Sequence, residues 1–426
     1  MLLSRNKADW ILGINASYAM CKATGFGNNS LGRVQTPVLA AISRRYRERE
    51  NHISSDSWPI YISLQKDGIL FKMRRTQDLP DKESATMFFQ DCKLAHQAQI
   101  TGISHSVKEI LPPDLFDLTQ LQKEANIRYG FTASEVYDIA QSLYEKKLIS
   151  YPRTSCRYLT EDVFDSLPPI MVRLLSWELF PAAKGTGGFD ISNLSRHVIN
   201  VEKANVHHAI IITGIRPGNL SEKEMQVYRL VAGRMLEAFM APCRIETTNV
   251  EAVCAAQHFK AEQTRIIEAG WHDVFMHSDM VPKSGYSVNE LPEVEKGDTL
   301  NVCGCNLVHK KDLPVDPFTD AELVEYMEQN GLGTVSSRTN IIRTLVNRKY
   351  IRHSGKYIVP TPKGMFTYET IRGKKIADTS LTADWEKQLA GLEGGMITGQ
   401  DFLNRIRTLA KEMTDDIFNT YSTKEE

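Results

Sequence analysis

The order of helical and strand-like segments along the chain constrains its fold more than any other feature. Residues 58–110 and 244–312 consist of short β-branched runs separated by turn residues, which is typical of strands. Residues 5–50, the block between the two strand segments and the chain from Phe318 onward show helical patterns instead. The two strand segments could each form a domain. More economically, they pair into one β domain with the helical block inserted, and the first and last helical parts pack together.

Local signals predict individual helices. Apolar residues in the first segment recur at helical spacing, at Trp10, Ile11, Ile14 and Tyr18. Two capping boxes, each a threonine followed three residues later by a glutamate, predict helix starts at Thr132–Glu135 and Thr319–Glu322. The second box opens a helix-turn-helix with a hairpin wing over residues 319–363. Taken alone, this element would predict the reading of duplex DNA in a groove.

A chain of 426 residues is too long for one ordinary hydrophobic core. We predict a multidomain α+β fold in which helical, winged-helix-like domains are joined by a β-rich arch into a ring-like gate. The predicted parts are 1–56 (helical), 57–115 (first part of the β arch), 116–242 (helical), 243–312 (second part of the arch) and 313–426 (winged-helix-like, completing the first domain).

Composition excludes several classes of protein. No apolar run approaches the roughly 20 residues that a membrane span requires, and the start MLLSRNKADW does not resemble a secretory signal. Seven cysteines, an odd number, indicate reduced thiols in a cytosolic setting. The pair Cys303 and Cys305 has no second pair to complete a zinc site, so we expect no metal there.

The net charge of −1 argues against a globally basic coat for nucleic acid, but it leaves room for a local basic groove. Residues 334–356 contain no acidic residue and hold six cations: Arg338, Arg343, Arg348, Lys349, Arg352 and Lys356. Residues 33–49 hold five arginines against one glutamate: Arg33, Arg44, Arg45, Arg47 and Arg49. Each cluster is either a binding surface or a solvated helix face.

The segment ISYPRTSCRYLT places a tyrosine, Tyr151, just past a predicted helix end and next to residues suited to a phosphate. A phenol has a pKa of about 10, so its attack on an ester at neutral pH needs help. Arg153 is permanently charged and can hold a phosphate through two hydrogen bonds. Pro152 limits the turn between them, and Thr154 and Ser155 add donors. This set fits phosphoryl transfer. A packed tyrosine beside a surface arginine is the alternative.

The same segment resembles the active-site motif of type IA DNA topoisomerases, T-Y-P-R-T-D-S-R-Y. Further segments resemble that family's motifs in the family's order: RNKADWILGIN, SLGRVQTPVL, DLTQLQKEAN, HHAIIIT, GLGTVSSRT and LTADWEKQL. Together the seven segments extend from Arg5 to about Leu389, nearly the whole chain. Bacterial topoisomerase III is the subgroup that the sequence resembles most, which implies a cytoplasmic protein associated with a nucleoid or plasmid.

The resemblance implies a role for each catalytic candidate. Tyr151 attacks a phosphodiester of single-stranded DNA, which leaves the 5′-phosphate on the tyrosine and frees a 3′-hydroxyl. The hydroxyl later reverses the attack, so no ATP is required. Arg153 stabilises the charge on the phosphate, and His207 contacts the phosphate or relays a proton. A core hydrogen bond is the alternative for the two histidines of HHAIIIT.

The resemblance also implies contacts to DNA. Ser30, Arg33 and Gln35 would bind the backbone from a loop that opens a helix. Arg5 and Asp9 would contact a base and the backbone, although an ion pair between positions four apart explains them equally well. The remaining predicted DNA contacts are Gln122, Thr154, Ser155 and Arg338.

Some departures from the family pattern bear on function. Ser155 and Cys156 stand where the family has an acidic residue and a serine, and Ile212 replaces a proline. Type IA enzymes also begin with a Toprim domain that binds Mg²⁺, whereas Asp9 is the only acidic residue here before Glu48. We therefore expect the Mg²⁺ ligands in a removed Toprim domain or a separate Toprim-bearing partner chain. This chain alone should bind DNA but cleave it weakly.

Two other functions remain open at this stage. One is a non-catalytic module that binds single-stranded DNA. The other is a winged-helix regulator that binds duplex DNA, which rests on residues 319–363 alone. The seven ordered motifs argue against the regulator, because a regulator has no need of the YPRT segment. Covalent chemistry at Tyr151 would separate the enzyme from the binding module.

Overall fold

The computed structural model describes residues 2–25, 29–177, 179–180, 191, 194–204, 207–276, 290–393 and 396–422. Its helices are α1 (Leu2–Thr24), α2 (Gln35–Glu50), α3 (Lys82–Leu94), α4 (Leu118–Tyr129), α5 (Ala133–Glu145), α6 (Glu161–Asp165), α7 (Leu167–Ser176), α8 (Glu222–Phe239), α9 (Asp273–Met276), α10 (Asp320–Gln329), α11 (Val335–Asn347), α12 (Pro362–Ile371), α13 (Ser380–Glu393) and α14 (Gly399–Ser422). Its strands are β1 (Asp56–Ser57), β2 (Ile60–Lys66), β3 (Ile69–Arg75), β4 (Gln97–Ile110), β5 (Cys243–Cys254), β6 (Gln257–Glu268), β7 (Thr299–Leu307), β8 (Lys310–Lys311), β9 (Ile351–Ser354) and β10 (Tyr357–Pro360). The predicted mixture of helical and strand segments is confirmed.

The strands of both β segments close one antiparallel barrel in the order β2-β3-β6-β5-β4-β7. Strand β4 of the first segment pairs with β5 of the second from Gln99↔Val253 to Ile110↔Cys243. Alternate residues of β2, at Ile60, Ile62 and Leu64, point into the barrel core, as the two-residue period of a strand requires. Of the two layouts left open by the sequence, the single β unit is the one observed.

The first and last parts of the chain form a second body, the base (described residues of 2–50 and 318–422). Helix α1 packs along α14, and Leu12 shares a core with Trp385 and Phe402. Helix α2 packs against the hairpin β9–β10 and against α10 and α11 through a core that includes Leu39 and Tyr350. Helices α10 and α11 and the hairpin β9–β10 give the predicted helix-turn-helix with a wing. A short ribbon, β1 paired with β8, connects the base to the barrel.

A third body, the tyrosine unit (described residues of 116–240), is built on α4, α5 and α8. Helix α5 begins with the predicted capping box, because Thr132 and Glu135 exchange side-chain and backbone hydrogen bonds. The apolar positions Val136, Ala140 and Leu143 that follow lie in the core. The second predicted capping box is also confirmed, at the start of α10.

Helix α8 of the tyrosine unit carries a buried carboxyl group. Glu237 on α8 is 3% exposed, and Arg234 Nε donates to its Oε2 at 2.8 Å. The Arg234 guanidinium also stacks 4.1 Å from the ring centroid of Phe116. Burial raises the pKa of Glu237 to about 7, against the opposing effect of Arg234.

The tyrosine unit touches the base through a mostly polar interface between α4–α5 and α10–α11. Two ion pairs cross it, Lys123 with Glu325 at 2.9 Å and Arg343 with Asp138 at 2.8 Å. The Ala133 backbone N–H, at the start of α5, donates to Asp320 Oδ1 at 3.0 Å. The two ion pairs are partly exposed, and exposed pairs of this kind contribute little net stability.

Candidate active site

The end of α5 places Tyr151 beside the histidine segment. Lys147 takes a left-handed conformation with φ 59°, and Leu148 N–H returns to the carbonyl of Leu143 at 2.9 Å, which ends the helix. The chain then runs along HHAIIIT, where Ser150 N–H donates to Ile211 O at 2.8 Å. This pairing sets the position of the next residue, Tyr151.

Tyr151 lies between two aromatic rings. Its ring centroid is 4.7 Å from that of His207 and 5.4 Å from that of Tyr144, which meets it edge-on. Tyr151 is half-buried and His207 is exposed, so the phenol lies at the surface with an imidazole beside it. The structure therefore brings together two of the three predicted catalytic residues.

Arg153 lies on one face of α5. Its Nη2 donates to Gln141 Oε1 at 3.1 Å, and its guanidinium lies 5.1 Å from the ring centroid of Tyr137. Arg153 Nε is buried and has no hydrogen-bond partner among the described residues. A buried charged N–H without a partner is unfavourable.

Sequence reasoning missed the α5 side chains that contact these residues, namely Tyr137, Gln141 and Tyr144. Their spacing of four and three places them on one helix face, and that spacing was visible in the sequence. Two aromatic residues and an amide on one helix face, just before the YPRT segment, could have indicated that this face contacts Tyr151 and Arg153.

The other two predicted residues of the loop differ in placement. Ser155 is exposed and can meet a ligand. Thr154 is 3% exposed, and its hydroxyl donates to His207 O at 3.3 Å and accepts from Cys156 N–H at 3.0 Å. Thr154 thus ties the loop to the histidine segment. Its predicted contact with DNA is corrected, because its hydroxyl is buried in internal hydrogen bonds.

An ion pair unnoticed in the sequence fixes the far end of the loop. Arg157 Nε donates to Asp117 Oδ2 at 2.7 Å, and Asp117 also caps α4 by accepting from Gln120 N–H at 2.7 Å. Asp117 is buried, and burial raises its pKa in spite of Arg157. The active-site loop is therefore attached at both ends to helices of the tyrosine unit.

The predicted contacts near the N-terminus gather around a second site, in the base. A cavity of about 490 Å³ lies between α1, the loop before α2 and the start of α11. Its lining includes Arg5, Asp9, Arg33 and Gln35. Arg33 Nε donates to Asp9 Oδ1 at 2.8 Å, and its guanidinium lies 4.9 Å from the ring centroid of Trp385. Asp9 therefore pairs with a residue 24 positions away, a contact that the sequence did not suggest.

Ser30 and Gln35 meet at the edge of this cavity, where Gln35 Nε2 donates to Ser30 Oγ at 3.2 Å. Arg348, which sequence reasoning did not single out, donates from Nη1 to Gln35 Oε1 at 2.8 Å and to Ser30 Oγ. Ser30 N–H donates to the hydroxyl of the buried Tyr350 at 2.6 Å. The two predicted DNA contacts are thus held by residues more than 300 positions away.

Gln122 and Arg338 are buried in the interface between the tyrosine unit and the base. Gln122 Nε2 donates to Ala133 O and to Thr339 Oγ1, each at 2.9 Å. Arg338 Nη1 donates to Glu328 Oε1 at 3.1 Å. With Gln122 2% and Arg338 7% exposed, neither presents a free surface, and a contact with DNA would require this interface to open. Their predicted contact with DNA stays a prediction that depends on the opening of this interface.

The basic cluster at residues 33–49 is largely neutralised. Ion pairs join Arg45 to Glu322, Arg47 to Glu369 and Arg49 to Asp316. Within the part of the chain that the structure describes, no group of three or more His, Cys, Asp or Glu side chains could hold a metal ion. In the same described part, no helix has the length and apolar character of a membrane span.

Comparison with known proteins shows a consistent pattern. Residues 2–404 match the protein family described as DNA topoisomerase. DNA topoisomerase 3 of Bacillus licheniformis is 31% identical over 441 residues, and this alignment covers 97% of this chain and 60% of the relative. DNA topoisomerase 3 of Bacillus subtilis is 30% identical over 457 residues, covering 99% of this chain and 61% of the relative. The chain thus spans about three fifths of the length of these curated relatives.

A solved structure supports the fold. Full-length topoisomerase I from Thermotoga maritima superposes with a TM-score of 0.74 at 23% sequence identity. The match covers 98% of this chain and 68% of that one. At this identity the likeness concerns the arrangement of the chain in space.

Proposed function

Because the chain belongs to the DNA topoisomerase family, we propose that it is the strand-cleaving part of a type IA enzyme of the topoisomerase III kind. The proposed activity is transient cleavage of single-stranded DNA, strand passage and religation without ATP, which relaxes or decatenates DNA. One observation carries the proposal: the ring of Tyr151 lies 4.7 Å from that of His207, and α5, which Tyr151 contacts through Tyr144, also accepts a hydrogen bond from Arg153 through Gln141.

The proposed reaction is a transesterification. Tyr151 Oη attacks the phosphorus of a backbone phosphodiester, the bond to the 3′ oxygen breaks, and the phosphate stays on the tyrosine through its 5′ side. The phenolic proton leaves, and the departing 3′ oxygen takes one up. The reverse attack by the 3′-hydroxyl restores the backbone, so the bond energy is conserved and ATP is not consumed.

Arg153 and His207 have separate roles in this proposal. Arg153 presents the charge of its half-buried guanidinium to a phosphate oxygen, while its Nη2 stays on Gln141. A charge-assisted hydrogen bond of this type contributes roughly 1.5–3 kcal/mol. His207 contacts the tyrosine ring, so its imidazole can relay the phenolic proton or contact the phosphate.

Mg²⁺ is the remaining part of the proposed enzyme. We propose that a Toprim-bearing segment or a separate Toprim chain supplies the Mg²⁺ ligands. The resemblance to type IA enzymes supports this part of the proposal.

The ring-like gate is also a proposal. The barrel joins the base through the ribbon β1–β8, and the tyrosine unit meets the base again across the polar interface. We propose that the ring opens at this interface, because its ion pairs and hydrogen bonds separate in water at less cost than an apolar core. The passing strand would then enter the ring between Tyr151 and the base.

The test is a search for the covalent intermediate. A single-stranded oligonucleotide labelled at its 3′ end is incubated with the chain, with and without Mg²⁺, then denatured and examined for label on protein. Label on the wild type and none on Tyr151→Phe, with equal binding of the two, is the expected result for the enzyme. Label that persists in Tyr151→Phe would place the nucleophile elsewhere.

Binding without any label would favour the alternative function, a module that binds single-stranded DNA without cleaving it. Addition of a Toprim-bearing segment from a relative then separates two cases. Label restored by that addition identifies this chain as the tyrosine half of the enzyme. Continued absence of label supports the binding module.

A further inference from the structure

Three cysteines from distant parts of the chain meet in the core of the barrel. Cys92 lies on α3, Cys254 is the last residue of β5, and Cys305 lies near the end of β7. Cys92 and Cys254 are fully buried among the apolar residues of the barrel. Cys305 packs against the same core but keeps partial contact with solvent. The proposed reaction at Tyr151 uses none of these thiols.

A bulge in β7 turns Cys305 toward this core. The register against β2 shifts between Ser63 and Leu64, which leaves Cys303 without a partner in that ladder. Without the extra residue, the two-residue period of a strand would place Cys305 on the face opposite Val302. With it, Val302 and Cys305 both pack against the barrel core, and Cys303 is exposed.

Helix α3 brings Cys92 to the same part of β7. Residue pairs of α3 and β7 lie within 8 Å between their Cα atoms, which is close to the distance of about 6 Å that a disulfide spans. Cys305 Sγ lies 4.0 Å from the carbonyl oxygen of Phe89, one helical turn before Cys92. The thiols of Cys92 and Cys305 share a hydrogen bond, and Cys92 shares another with Cys254.

The three thiols differ in acidity. The hydrogen bond with Cys92 lowers the pKa of Cys305, against the opposing effect of burial. The hydrogen bond with Cys92, together with burial, raises the pKa of Cys254. An oxidant is attacked by a thiolate rather than a thiol. Cys305 is therefore better suited to react first than Cys254, and it is also the one that solvent reaches.

We propose that Cys305 is a site of reversible oxidation by peroxides, and that Cys92 is the resolving thiol that closes a disulfide between β7 and α3. This inference goes beyond the proposed function and does not depend on it. The Cys305 thiolate attacks one oxygen of hydrogen peroxide, the O–O bond breaks, and Cys305 becomes a sulfenic acid. The hydroxide that leaves takes up the proton released by Cys305 and becomes water.

The second step forms the disulfide. Cys92 Sγ attacks Cys305 Sγ, the S–O bond breaks, and the hydroxyl group leaves with the Cys92 proton as water. Two thiols are oxidised to one disulfide, and one hydrogen peroxide is reduced to two molecules of water. Two molecules of a small thiol reverse the reaction by thiol–disulfide exchange, which restores Cys92 and Cys305.

The disulfide would fix α3 on the strand that leads to the base. Cys305 lies two residues before the end of β7, and the chain then enters β8, one strand of the ribbon that connects the barrel to the base. Separation of α3 from β7 would be suppressed while the disulfide is present. Backbone amides of α3 should therefore exchange with solvent several-fold more slowly after oxidation and recover on reduction.

The experiment treats the full chain with hydrogen peroxide at neutral pH, blocks free thiols with an alkylating agent and maps disulfides by mass spectrometry. We expect a peptide pair joined through Cys92 and Cys305 that disappears on treatment with dithiothreitol. In Cys92→Ala the sulfenic acid has no resolving thiol. Dimedone, which labels sulfenic acids, should then label Cys305 several-fold more than in the wild type. Cys303→Ser removes the exposed neighbour on the same strand and, as the control, should keep the joined pair.

The wild-type disulfide map decides the matter even if a core variant folds poorly. Oxidation confined to Cys303, with Cys92 and Cys305 recovered as free thiols, would overturn the inference and leave the three cysteines as core packing. A disulfide between Cys92 and Cys254 in place of the expected pair would overturn the assignment of Cys305. Unchanged exchange of α3 in a sample whose disulfide has been mapped would refute the expected effect on the helix.

Discussion

Replacement of Glu237 by glutamine should stabilise the tyrosine unit in a pH-dependent way. The carboxyl is 3% exposed, and its pKa of about 7 lies well above the ordinary 4.5. Between those two values the folded protein keeps the proton while the unfolded chain has lost it. The contribution of Glu237 to the free energy of unfolding is therefore most favourable below pH 4.5, falls as the pH rises toward 7, and is constant above pH 7.

The size of the effect follows from the displacement of the pKa. At about 1.36 kcal/mol per pKa unit, the buried charge lowers stability by about 3 kcal/mol above pH 7. Glu237→Gln keeps a hydrogen-bond acceptor for Arg234 and cannot ionise, so it escapes this loss. Below pH 4.5 the variant and the wild type should be nearly equal in stability.

Hydrogen exchange of α8 peptides measures this locally, since a chain with several units does not unfold in one step. The ratio of protection between Glu237→Gln and wild type should rise by about two orders of magnitude from about pH 5 to about pH 8. Glu222→Gln changes an exposed carboxylate at the start of the same helix and should leave the ratio unchanged. An equal ratio for Glu237→Gln at both pH values would refute the reasoning, because burial would then not raise the pKa of this carboxyl.

Three further predictions concern other parts of the chain. Arg153→Ala should slow formation of the covalent adduct much more than it weakens DNA binding, as judged by adduct kinetics and anisotropy; an equal effect on both would make it a general phosphate contact. Gly364→Ala should lower stability by roughly 1–3 kcal/mol in thermal unfolding, because its Cβ would lie 2.0 Å from a backbone carbonyl oxygen, whereas Gly218→Ala meets nothing and should be neutral. The hydrogen bond that His353 Nε2 donates to the Asp320 carboxylate raises the pKa of His353. The stability that His353 adds over His353→Gln should therefore be full below about pH 6.5 and vanish as the pH rises through the raised pKa; a pH-independent difference would contradict this.

Local chemistry made much of the secondary structure predictable. The capping boxes at Thr132 and Thr319 set helix starts within a few residues of sequence, and the structure confirms both. The β-branched segments gave strands because the two-residue period of a strand is also local. Signals of this kind do not depend on which distant element packs against them.

Packing between distant elements could not be predicted in the same way. Trp10, Ile14 and Tyr18 correctly indicated a helix, yet they are 65%, 49% and 59% exposed. The core face of α1 carries small residues, Ala8 and Ala16, which let α14 approach closely. Periodicity alone does not tell which stripe faces a partner helix.

The candidate site also combines features that local sequence indicates with features that depend on distant packing. The resemblance assigned Tyr151 and His207 to one candidate site, and their rings lie 4.7 Å apart because the two residues are on paired segments of one unit. Gln122 and Arg338 were assigned to a groove on their motifs alone, whereas each is engaged by side chains on the other side of an interface. Burial of that kind depends on how units assemble, and no short segment encodes it.

The pairing of the barrel has a consequence for how the chain folds during synthesis. Strand β2 hydrogen-bonds to β7, and Ile60 pairs with Leu307. The barrel therefore cannot close until residue 307 has been synthesised. Helix α1 can pack only after α14 has been synthesised, because α14, the last helix of the described chain, is its main partner. Contacts between residues so far apart form slowly, and the early strand edges and the apolar face of α1 stay uncovered until the rest of the chain emerges. The described residues of the tyrosine unit all fall within one stretch of sequence, 116–240, so this unit can fold first and leave the two surrounding bodies to assemble around it.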